Sequence, residues 1–181
     1  MISEKKSQIL QLLDDLTSGR NMLLAELDSL SPQQLTTSQN ESWSAVQVIE
    51  HIIWSETGTL GYMKKKTSSG WEGLPLTGEE ENNKSSMLNA RLVSEERYKA
   101  PAILPDPEGK KTLPELVNEW NVLRDELVNF VNGLDENFYD RLVFKQPIAG
   151  PLNLFQTLEF LNHHLRHHIP QIKRIKESLS I

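Results

Sequence analysis

NLFQTLEFLNHHLRHHIPQI, Asn153 to Ile172, carries both the clearest helical period in the chain and four of its five histidines. At about 100° of rotation per residue, with His163 set to zero, six apolar residues share one sector of roughly 160° to 240°. They are Leu154, Leu158, Leu161, Leu165, Ile169 and Ile172. A stripe of this width is what a helix buries in a multi-helix core. Asn153 precedes it as a cap, and the pattern predicts a helix to about Ser178.

Three more long segments have the same character. Ile9, Leu12, Leu13, Leu16, Leu23, Leu24 and Leu27 recur at helical spacing from Glu4 to Leu30, interrupted only by Gly19. Ser31-Pro32-Gln33-Gln34 opens a short helical turn, and Ser44-Ala45-Val46-Gln47 has the capping-box pattern ahead of a second long helix reaching Met63. Thr112-Leu113-Pro114-Glu115 caps a third through Val131, with Gly133 as its stop. Between about Thr67 and Pro107 the chain is rich in Gly and Pro, and Met87, Leu88, Arg91, Leu92 and Glu95 predict one helix there, Lys84 to Tyr98. Asp135 to Asp140 is expected to be a turn and Pro147 to Pro151 a rigid approach to the last helix. With no convincing run of alternating strand residues, the expectation is all-α: a four-helix bundle with a long crossover between its second and third helices, residues 1–181 forming a single domain.

A chain of 181 residues can bury a substantial core without a metal or disulfide for support, so a metal here would serve chemistry rather than folding. The chain has no cysteine, which removes disulfides, thiolate nucleophiles and sulfur-based zinc sites. A net charge of −6, with only short basic runs, argues against nucleic acid and anionic membrane as partners. No run of about 18 apolar residues occurs and MISEKKSQILQLL lacks a signal-type apolar core, so a soluble, cytoplasmic protein is expected. Phosphate-cradling glycine loops and a GxSxG turn are absent, leaving nucleotide-dependent and serine-hydrolase chemistry without support.

On the wheel of the last helix, His164 and His168 fall at about 100° and 140°, on the shoulder of the apolar stripe, while His163 and His167 fall at about 0° and 40°, towards solvent. Imidazoles four residues apart stand one above the other and can take adjacent corners of one metal's coordination shell. Two ligands make an incomplete site, and His51, in VIEHIIW on the second helix, is the one histidine left. That helix is apolar nearly all round, so its wheel assigns His51 no direction. A metal site, a solvated histidine cluster and a buried hydrogen-bonded histidine all remain open on spacing alone. Pro170 removes the bond to the carbonyl of Arg166 and predicts a bend beside His168, read as a tolerated kink near the helix end.

The ordered combination of three stretches resembles the DinB-like superfamily, in the branch whose members carry the label metal-dependent hydrolase. SWSAVQVIEHI is similar to that family's Trp-Ser opening of the second helix, ending on its first metal-binding histidine. AGPLNLFQTLEFLNHHLRHHIPQI resembles its Gly-Pro-Leu approach and final His-x3-His-x2-Gln-Ile motif, and RYKAPAILPDPEGKKTLPELVNEW its Pro-rich crossover. The likeness covers nearly the whole chain, with Pro170 as a departure. Carried over residue by residue, it implies a metal bound by His51, His164 and His168.

Three neutral imidazoles leave a divalent ion its full charge and at least one free coordination position, as in catalytic sites. That position can hold water and lower its pKa, or hold the thiol of a small-molecule co-substrate. The resemblance implies both chemistries: hydrolysis, or transfer of a low-molecular-weight thiol to a small-molecule substrate. The competing class is a non-catalytic metal-binding or stress-related interaction protein. Nitrogen donors suit zinc or nickel rather than magnesium or calcium. The resemblance also raises a homodimer, for which apolar residues on the first or third helix would supply the surface. Glu56 is a candidate carboxylate behind the site, with a simple surface or helix-pairing role the favoured alternative; Gln171 could hydrogen-bond a ligand loop or fix the helix, the second being favoured, and Trp43, Trp54, Trp71 and Trp120 are read as core or interface residues.

Overall fold

A computed structural model of the chain describes residues 3–39, 42–94 and 106–179. Its elements in order are α1 (Glu4–Ala25), α2 (Pro32–Thr36), α3 (Ala45–Thr67), α4 (Glu79–Val93), α5 (Leu113–Gly133), a 3-10 turn (Glu136–Phe138), β1 (Phe144–Gln146), β2 (Gly150–Leu152) and α6 (Leu154–Ser178). The all-α bundle expected from the sequence is the observed fold, with α1, α3, α5 and α6 as its long helices and α4 within the crossover. Among the described residues, no helix is long and apolar enough to cross a membrane.

Capping fixes where the bundle helices begin. Ser44, Thr112 and Asn153 each accept from the backbone three residues on, while Gln47, Glu115 and Gln156 reach back to the cap's own N–H. From those starts the apolar faces turn inward. Leu154, Leu158, Leu161, Leu165 and Ile172 of α6 are buried, against Leu13, Leu16 and Leu23 of α1 in the same core. Gly19 lets the two helices close up, since a Cβ there would meet Leu165 Cδ2 at 3.0 Å. The residue beside His164 is thereby pinned to α1.

Helix directions explain the long crossover. Glu56 of α3 meets Trp120 and Arg124 of α5, and Lys64 further along α3 meets Glu126. The contacts climb both helices together, so α3 and α5 run parallel and the chain must travel back between them. That return includes α4, which lies along α6: Asn82 bonds Gln156, Asn89 bonds Glu159, and the Leu92 carbonyl meets His167.

Four local expectations need correction. The first helix stops at Ala25 rather than Leu30, because the Leu27 and Leu30 N–H groups bond to the Leu24 and Leu27 carbonyls, i to i−3, in tighter turns than the α-helix. The crossover helix begins at Glu79, five residues before Lys84. Gly78 N–H donates to Glu81 and three glutamates occupy the positive first turn. It ends at Val93 with Ser94 as cap, and the expected stretch from Glu95 to Tyr98 lies outside the described residues. The approach to α6 is a two-stranded antiparallel ribbon, Phe144 opposite Leu152 and Gln146 opposite Gly150, whose loop donors Ile148 N–H and Ala149 N–H are both taken by the Gln146 side chain. Pro170 lies well inside α6, not near its end, and the helix continues through it to Ser178 with Pro170 and Arg166 both exposed.

Candidate metal centre

His51 sits in the second turn of α3, a helix sandwiched between α5 and α6, which is why its sequence is apolar on nearly every side. From there its imidazole enters the space beside α6. His51 Nε2 lies 3.3 Å from His164 Nε2, and His168 Nε2 lies 3.2 Å from His164 Nε2 on the other side. All three donor atoms fall within 4.8 Å of one another, a group able to hold a metal ion. The structure thus brings together the three histidines that the family resemblance implies, and supplies the direction for His51 that its own helix wheel withheld.

Two observations test whether these side chains suit a cation. The first is spacing: two nitrogens each bonded to one zinc-sized ion at a tetrahedral angle stand about 3.4 Å apart, close to the two separations from His164, with the third pair within 4.8 Å. The second is proton accounting. His168 Nδ1 donates to the Gln171 side-chain oxygen at 2.7 Å, so in the neutral ring Nε2 is a bare lone pair. His164 Nε2 faces two nitrogens and carries at most one proton, so hydrogen bonding alone serves its two neighbours poorly. One cation could accept all three lone pairs.

The electrostatics agree. Burial pushes the His51 imidazole down to about 4 and that of His168 to about 3, the latter aided by His51 and opposed by the bond to Gln171. His164 is pushed well below its ordinary range, first by desolvation and then by the facing histidines. Neutral imidazole is the ligand form. His51 and His168 are buried and His164 is partly buried, so the donors sit largely out of water.

Aromatic rings flank the donors. Phe160 stacks on His164 with centroids 5.6 Å apart, one helical turn away on α6, and Trp43 sits 5.0 Å from His51. These contacts were missed in the sequence. The Phe160 contact was available from its i, i+4 spacing to His164, whereas Trp43 lies outside any helix and offered none. His51 Nδ1 is buried and, among the described residues, has no hydrogen-bond partner.

The remaining candidates take other roles. Glu56 is buried and accepts from Trp120 Nε1 at 2.9 Å and Arg124 Nη2 at 2.6 Å, joining α3 to α5 rather than touching the histidines. Burial pushes its carboxyl up, against the pull of Arg124. Gln171, expected to fix the helix, instead fixes a histidine. His163 and His167 are not solvent-facing as the wheel placed them, because α4 covers that side of α6. His167 Nδ1 donates to the Leu92 carbonyl at 3.0 Å, and both rings are partly buried. Of the four tryptophans only Trp120 is fully buried, while Trp71 lies under Arg141 at 5.2 Å.

Comparison with known proteins places this arrangement. The uncharacterized protein YuaE of Bacillus subtilis (strain 168) is 26% identical over 155 residues, spanning 85% of this chain and 90% of that protein. No solved structure matches the chain significantly. The sequence profile of the DinB superfamily matches residues 15–172, from α1 through the last buried residue of the α6 stripe and across all three histidines. A match of that extent, on a helical bundle of this form, decides the family: the chain belongs to the DinB superfamily.

Proposed function

We propose that this protein is a metal-dependent enzyme acting on a small molecule, with one zinc or nickel ion held by His51, His164 and His168 and with water or a low-molecular-weight thiol as the attacking group. The observation that carries the proposal is the convergence of three neutral imidazole nitrogens with no fourth protein ligand among the described residues. Structural zinc sites are closed by four protein ligands, so three point to a position kept for a reactant. A divalent ion bound there would supply Lewis acidity, enough to ease deprotonation of water or a thiol and to polarise an electrophile. The chain's own part is to hold the donors neutral, to orient His168 through Gln171, and to bound the group with Phe160 and Trp43. Since the chain has no cysteine, a sulfur nucleophile would have to be a co-substrate.

The test is elemental analysis of untagged protein purified without added metal, alongside His51→Ala. About one zinc or nickel per chain, lost in the variant, supports the site; no metal in either after reconstitution refutes it. Metal-loaded protein is then screened for hydrolysis of esters and amides and for thiol addition to small electrophiles. Inactivity throughout would favour a non-catalytic metal-binding protein.

A further inference from the structure

We propose that Gln171 is a positioning residue that sets the proton of His168 and thereby makes its Nε2 a ligand, an inference that rests on the three-histidine metal reading. A neutral imidazole has two tautomers, and only the one with its proton on Nδ1 leaves Nε2 free to bind. Gln171 is one turn beyond His168 on α6, where i, i+3 side chains meet, and its carbonyl oxygen lies 2.7 Å from His168 Nδ1. An amide oxygen has no proton to give, so the bond requires the Nδ1–H form. Nε2 is then turned as a lone pair to the point where His164 Nε2 stands 3.2 Å away.

The support is unequal across the ligand set. His51 Nδ1 is buried with no partner among the described residues. His168 is therefore the ligand whose Nδ1 meets an acceptor, and that acceptor is uncharged. A carboxylate in that place would lend the ring negative charge, whereas an amide orients it and leaves the charge of a bound divalent ion undiminished. Pro170, immediately before Gln171, has no backbone N–H to donate within the helix, so the side chain of Gln171 closes on His168 beside a turn that lacks one of its backbone bonds.

Three variants test this: Gln171→Leu removes the acceptor, Gln171→Asn retracts it by one methylene, and Gln171→Glu keeps an acceptor at the same reach. The first readout needs no metal. Nitrogen-15 NMR of the histidine rings in metal-free wild type should show His168 protonated on Nδ1, and in the Leu and Asn variants shifted toward the Nε2–H form. The second is zinc affinity by competition with a chromophoric chelator: the Leu and Asn variants should weaken it about 10–100-fold, with Gln171→Glu restoring wild-type affinity or better. Wild-type His168 protonated on Nε2, or equal losses in Leu and Glu variants, would overturn the inference in favour of simple helix packing. Should wild type bind no divalent ion, the metal reading fails by that result alone, while the tautomer spectra still decide what Gln171 does.

Discussion

His51 and His164 are separated by 113 positions in the chain, yet their Nε2 atoms lie 3.3 Å apart. No local interaction brings them together; the packing of α3 against α6 does, and α6 is in turn set by its close approach to α1 at Gly19 and Leu165. The site is therefore a property of the assembled bundle. Substitutions that remove a donor should be separable from substitutions that loosen a helix.

The first prediction concerns donors. On the proposed ligand set, His164→Ala should abolish retention of zinc or nickel, because it removes the nitrogen that faces both other histidines. The effect should exceed the ~10–100-fold typical of residues that only support a ligand. His163→Ala, one position away, should keep metal binding within a few-fold. Isothermal titration of both variants decides it: full binding by His164→Ala would remove that residue from the ligand set.

A second prediction follows from burial of the histidines. In the metal-free protein His51 is pushed down to about 4 and His168 to about 3, while in an unfolded chain imidazoles titrate near 6.5. Below about pH 6.5 the unfolded state binds protons that the folded state refuses, so stability is full above that value and falls as pH drops toward 4. The thermal midpoint of metal-free protein should decline between about pH 7 and 4.5, and less steeply in His51→Phe, which lacks one of the depressed groups. Identical slopes in both proteins would show that His51 is not held neutral.

The buried Glu56–Arg124 pair gives a third. Glu56→Leu strands a guanidinium that is nearly all buried and deprives Trp120 of its acceptor, which should cost about 3–5 kcal/mol in urea denaturation. Adding Arg124→Met should recover much of that loss, since an apolar pair of similar volume removes the stranded charge. Zinc affinity should be unchanged in the double variant, because neither side chain touches the histidines. A double variant as unstable as the single one would mean that shape, not charge, is what the pair contributes.

These contrasts mark what the sequence could and could not convey. The α6 stripe and the His164, His168 pair were legible because one helix wheel contains both. The direction of His51 was not, since α3 is packed by α5 on one side and α6 on another and no single apolar stripe remains to orient it. The seat of α4 was hidden for a different reason. Besides burying Leu88, it meets α6 through Asn82, Asn89 and the Leu92 carbonyl, polar partners that periodicity of apolar residues does not reveal, and this is why His163 and His167 read as solvent-facing. The ribbon before α6 escaped because strands of three residues, one with Pro151, are too short to show alternation.

The last prediction tests how the crossover returns to α3. Gly109 has a φ of +66°, and a Cβ there would lie 2.8 Å from Gln47 Cγ. The Gln47 side chain is already committed three times: its oxygen accepts from Ser44 N–H at the helix cap and from the Ser38 hydroxyl, and its Nε2 donates to the Pro107 carbonyl at 2.8 Å. Gly109 N–H itself donates to Glu50 Oε2, the residue next to His51. Gly109→Ala should therefore lose about 1–2 kcal/mol for the left-handed backbone and about 1 kcal/mol more as Gln47 is pushed off the cap. The second part should vanish when Gln47 is already alanine, so the Gly109→Ala/Gln47→Ala double variant should fall short of the sum of the singles in urea denaturation. Strict additivity would mean that the glycine serves its backbone angle alone and that Gln47 does not couple the crossover to the helix carrying His51.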